Sequence, residues 1–178
     1  MKRLLLAGLA AAAVALPAAA QAGPAAPPVP GDIAVPAGHK PYLVAHADGV
    51  QIYDCVSVPG GHAWRLAAPR ATLTGDHGQT IGSHYGGPTW EARDGSRVVA
   101  KRDGGVNVDP TAIDWLRLEA DSTAAGADGD RFAGTSYIQR IDTVGGLAPA
   151  AGDCDEDTVA ERREVPYTAD YVFFKETR

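Results

Sequence analysis

Between Gly82 and Ser96 the chain reads Gly-Ser-His-Tyr-Gly-Gly-Pro-Thr-Trp-Glu-Ala-Arg-Asp-Gly-Ser. Gly86-Gly87-Pro88 is a sharp bend, because glycine tolerates unusual φ values and proline fixes the exit. Asp94-Gly95 is a hairpin turn, since such turns need positive φ. Thr89 to Arg93 between them is too short for a helix and the right length for a strand. A chain that reverses twice in so few residues is committed to antiparallel β structure.

The rest repeats this pattern. Pro41 to His46 and Val50 to Val56 flank Asp48-Gly49, which predicts another hairpin. Val50, Ile52 and Asp54 alternate with Gln51, Tyr53 and Cys55, as on a two-faced strand. Short strands are expected at Ala63 to Ala68 and Ala71 to Thr74, split by Pro69. Others are expected at Ser96 to Arg102, Ala112 to Ala120, Gly134 to Val144 and Ala169 to Lys175. In the last, Tyr171 and Phe173 share one face, and Val172 and Phe174 the other. Asp155 to Glu164 is the best helical window, capped at Asp157-Thr158, but it lacks an apolar stripe and predicts one or two turns at most. The fold class is therefore all-β, an antiparallel sandwich or closed barrel with little helix.

The N-terminus carries the marks of an export signal. Lys2 and Arg3 precede an apolar run from Leu4 to Leu16, Pro17 breaks it, and Ala20-Gln21-Ala22 is a small-x-small cleavage site. Residues 1–22 are thus expected to be a signal peptide and 23–38 a flexible Pro/Ala-rich leader. Residues 39–178 would form a single domain. The run is short for a membrane span, which takes about 20 apolar residues, so no span is expected in the mature chain and the product is periplasmic or extracellular. The whole chain has a formal net charge of −6, and losing Lys2 and Arg3 makes it more acidic. With no basic cluster, nucleic-acid binding is disfavoured. Cys55 and Cys154 are the only cysteines; in an oxidising compartment they read as one disulfide.

Chemistry-bearing residues gather in the opening segment. The Gly86–Pro88 bend brings His84 and Tyr85 towards Trp90 and Glu91. His84 and Glu91 could act as general acid and base or as two metal ligands, and Trp90 or Tyr85 could stack on a sugar ring or an apolar ligand. A structural corner, with Trp90 in the core, explains the same residues. Gln139 and Arg140 face opposite ways on one strand, so one can point inward. A buried arginine needs a partner, for which Glu91 and Asp114 are candidates. Asp128-Gly129-Asp130 and Asp153 to Asp157 are oxygen-rich loops that match no EF-hand. Val165 to Tyr171 reads as a tyrosine-bearing corner. His39, His46, His62 and His77 have no zinc-motif spacing, and no Gly-x-Ser-x-Gly occurs.

Taken in order, Ile52-Tyr53-Asp54-Cys55, Trp64, Gly82 to Glu91, Asp94-Gly95-Ser96, Ile113-Asp114-Trp115-Leu116, Tyr137-Ile138-Gln139-Arg140, Thr143 to Pro149 and Val165 to Tyr171 form a specific pattern. The pattern resembles the exported domain-of-unknown-function family 3455 of bacteria and fungi, over nearly the whole mature chain. The resemblance implies a secreted single domain with a disulfide and no established activity. Some relatives carry a malate dehydrogenase label, but no Gly-x-Gly-x-x-Gly follows a strand and no βαβ alternation occurs, so a dinucleotide fold is not expected.

The resulting expectation is a monomeric, non-enzymatic binding module of the envelope or exterior, taking a small molecule or glycan and needing no cofactor. Its ligand site would comprise His84, Tyr85, Trp90, Glu91 and Arg140. A small hydrolase or metal-dependent enzyme using His84 and Glu91 is the first alternative. A structural or stress-related envelope protein without a ligand is the second.

Overall fold

A computed structural model describes residues 23–177; the proposed signal peptide lies outside them. Eight strands follow one another: β1 (His39–Val58), β2 (Gly61–Thr74), β3 (Thr80–Tyr85), β4 (Thr89–Ala92), β5 (Arg97–Val106), β6 (Trp115–Ala124), β7 (Tyr137–Gly145) and β8 (Arg162–Glu176). Each pairs antiparallel with the next, and β8 returns to pair with β1, closing a barrel in sequence order. Of the two architectures the pattern allowed, the barrel is the one formed. Closure removes the edges at which an open sheet would invite aggregation.

Alternation along each strand sorts side chains between the interior and the outer surface. Small residues facing inward (Ala45, Ala47, Ala71, Ala92, Ala100 and Ala169) share the core with Trp90, Phe132, Tyr171 and Phe173. An eight-stranded barrel is just wide enough for its own side chains to fill, so alanines on the wall make room for rings at the centre. The loop between β6 and β7 caps one end. There Phe132 stacks on Phe173 at 4.5 Å, and its backbone N–H donates to Ser96 Oγ. At the other end the Cys55–Cys154 disulfide ties β1 to the connection before β8. Trp64 packs beside it, donating to the carbonyl of Ala150.

Three local expectations are corrected. Asp48-Gly49 is no turn: β1 runs straight through it. Gly49 is instead required because a Cβ there would collide with the backbone of Arg70 and with the backbone and methyl of Ala71 across the ladder. Pro69 does not split β2 either, since a register shift opposite Ile52 and Tyr53 absorbs the irregularity. Val165 to Tyr171 lies within β8. The corner bond comes from Tyr53, whose hydroxyl donates to the carbonyl of Gly146 at 2.7 Å. In the Asp155–Glu164 window, Asp155 Oδ1 accepts from the backbone N–H of Asp157 and Thr158, closing a turn without a helix.

The leader expected to be flexible is packed at its centre. Ile33 is wholly buried on the outer face of the barrel with Ile141, Val172 and Phe174. Its carbonyl accepts from Gln139 Nε2 at 2.7 Å, and that of Ala34 from Arg117. The faces of β8 divide as its alternation predicts, Tyr171 and Phe173 inward and Val172 and Phe174 outward under Ile33.

Candidate functional site: a lateral pocket in the barrel wall

The short β3–β4 hairpin shapes the site. β2 pairs with β3 only from Arg70 to Thr74, and β5 pairs with β4 only from Arg97 to Val99. Residues 61–69 of β2 and 101–106 of β5 therefore have no strand partner on that side. The wall opens between them, above the Gly86–Pro88 turn. A pocket of about 140 Å³ sits there. Leu66, Pro69, Pro88 and Arg102 lie at its rim, from the elements that border the gap. Gln51, His84, Trp90, Leu116, Leu118, Arg140 and Tyr171 line its depth.

The hairpin divides the predicted site residues. His84 pairs across the ladder with Trp90, and both point inward. Their rings stack at 4.1 Å, 13° from parallel, with Tyr171 edge-on to each. Tyr85 and Glu91 lie on the opposite face, where the tyrosine hydroxyl donates to Glu91 Oε2 at 2.6 Å. Period-two alternation imposes this division. His84 and Glu91 therefore do not meet, so the acid–base or ligand pair drawn from them has no geometric basis. Arg140 does point inward and joins His84 and Trp90 in the pocket.

His84 donates from Nδ1 to the carbonyl of Thr89 at 2.9 Å; a carbonyl only accepts, so Nδ1 carries the proton. Burial pushes the imidazole down to about 3, and the positive charge of Arg140 adds to this. The ring is neutral at ordinary pH, with Nε2 left as an acceptor. Arg140 donates from Nε and Nη2 to the carbonyl of Asp114. Neither carboxylate candidate pairs with it. The Asp114 carboxylate is held by Arg102 and Asn107 instead.

Two further groups stand out. Gln51 and Trp90 are almost wholly buried, yet Gln51 Nε2 and Trp90 Nε1 have no hydrogen-bond partner among the described residues. Buried donors are almost always paired, and an orphan costs about 1–3 kcal/mol. Gln51 was absent from the expected site. Its signal in the sequence is its phase, two residues before Tyr53 and four before Cys55 on the inward face of β1. Among the described residues no group of three or more His, Cys, Asp or Glu could hold a metal ion.

No curated protein and no solved structure matches the chain. The model of the family described as "Protein of unknown function (DUF3455)" matches residues 36–175, the whole barrel but for its last strand residue. By that match, the chain belongs to the DUF3455 family.

Proposed function

We propose that this domain is a small-molecule binding module whose ligand enters the barrel sideways through the gap between β2 and β5. The observation that carries this reading is the pocket itself, apolar over most of its lining, with two buried N–H groups on residues that line it and no partner for them among the described residues. Its volume is close to that of an engineered protein cavity that takes up benzene, about 150 Å³. The ligand is therefore compact. A glycan stacked on Trp90 is not favoured, because His84 already covers one face of the indole and the ring is buried. The disulfide accords with an oxidising, exported setting, and no helix among the described residues is long and apolar enough to cross a membrane.

The test is NMR and thermal-shift titration of the full chain with toluene and indole. Binding moves the Trp90 indole N–H resonance and raises Tm, and Leu116→Phe, which fills the pocket, abolishes both effects. Unmoved resonances and an unchanged Tm at millimolar probe would refute the reading and leave the segment a structural corner.

A further inference from the structure

We propose that the ligand is a compact monocarboxylate, its anionic group bound by Arg140 with the N–H groups of Gln51 and Trp90 and its apolar body against Leu116 and Leu118. This rests on the pocket being a ligand site. Arg140 is a guanidinium inside the barrel that makes no salt bridge among the described residues. Its charge is felt by Tyr53, His84, Tyr167 and Tyr171, each of which it shifts downward against the effect of burial on the tyrosines. Arg140 is half-buried, and a guanidinium beside a mostly apolar pocket favours a guest whose negative charge pairs with it as the guest leaves water. Planar guanidinium suits planar carboxylate.

One negative charge is enough. Arg102, the other cation at the pocket, is engaged by Asp114, whose second oxygen accepts from Asn107. That leaves a single uncompensated cation. His84 is neutral and bonded to Thr89, so it contributes no second positive charge. The orphan donors of Gln51 and Trp90 are matched by carboxylate oxygens, which accept only. The acidic surface of the protein does not favour anions at long range, so discrimination falls to these short contacts.

The experiment compares benzoate, benzamide and toluene by calorimetry on the full chain, with the Trp90 N–H resonance as the site marker. Benzoate should bind about 10- to 100-fold more tightly than toluene, the increment of a charge-assisted hydrogen bond, with benzamide between them. Arg140→Met should remove that advantage, bringing the ratio of benzoate to toluene affinity close to one. Gln51→Leu serves if the arginine variant does not fold; it should narrow the ratio of benzoate to toluene affinity severalfold. Toluene binding as well as benzoate in the wild type overturns the carboxylate while leaving the pocket reading intact. Benzoate binding that leaves Trp90 unmoved also overturns it. No binding by any of the three ends both readings.

Discussion

His84 lies flat against Trp90 inside the barrel, ring centroids 4.1 Å apart, with its Nδ1 proton committed to the carbonyl of Thr89. A second proton would place a buried positive charge on the imidazole itself, which burial and the charge of Arg140 both oppose.

The pH dependence of folding follows from it. Burial lowers His84 to about 3 in the folded state, against about 6.5 unfolded. Between those values the unfolded chain binds the extra proton, so stability is complete above about pH 6.5 and declines as pH falls, by about 1.4 kcal/mol per pH unit. Urea titrations from pH 7 to 4 check this, and His84→Gln should flatten the slope. His46 has the opposite sign. Its hydrogen bond to Asp170 raises it, so its contribution is present below the unfolded value and lost as pH rises through the folded one.

Trp90→Ala should destabilise the fold by about 3–5 kcal/mol, the usual cost of removing a buried aromatic, because Trp90 touches His84, Tyr171 and Phe173 at once. Tyr85→Phe, which removes only an exposed bond to Glu91, should cost less than about 1 kcal/mol. Equal losses in paired urea curves would contradict the assignment of faces.

Reducing the Cys55–Cys154 bond, or replacing both cysteines with serine, opens a loop spanning 99 positions. Chain entropy puts the loss at about 4–5 kcal/mol. A lowered urea midpoint under reductant, absent in the double-serine variant, is the readout.

Gly49→Ala forces a methyl group into Arg70 and Ala71 and should cost about 1–3 kcal/mol, the range for overpacking. Gly31→Ala, with open space around it, should be close to neutral. Thermal melts of the pair separate steric necessity from a turn requirement.

Ile33→Ala should cost about 2–5 kcal/mol if the leader seals the outer face over Val172 and Phe174. Hydrogen exchange at the Gln139 side chain and Ile141 should quicken with it. An unchanged midpoint would return the segment to the status of a loose tether.

Much of the fold was legible in the residues, and where it was not the reason is physical. Asp94-Gly95 turned the chain as its backbone demands, with Gly95 at φ 80°. Asp48-Gly49 carries the same dipeptide and does not turn, because pairing of β1 with both β2 and β8 holds it extended. Local propensity yields to long-range partners. Ile33 was missed because a single isoleucine among prolines and alanines has no periodicity to read. Arg140 was recognised as an inward candidate, but its partner was sought among carboxylates when it is the carbonyl of Asp114. Sequence carries no sign of which backbone oxygen a fold will bring near.

Residue order alone determined the antiparallel all-β class, the cysteine pairing and the segment from Gly82 to Ser96 as a double reversal. Whether His84 and Glu91 share a face was not legible there, because it depends on the register of the hairpin, and the pairing of His84 with Trp90 is what sends Glu91 to the other side. Only the tertiary structure decided which face looks inward and that β8 closes on β1. It also decided that a hairpin shorter than its neighbours leaves the wall open beside Arg140. Alternation is local and fixes faces relative to one another; closure and the gap depend on pairings between strands far apart in the chain, which no local pattern encodes.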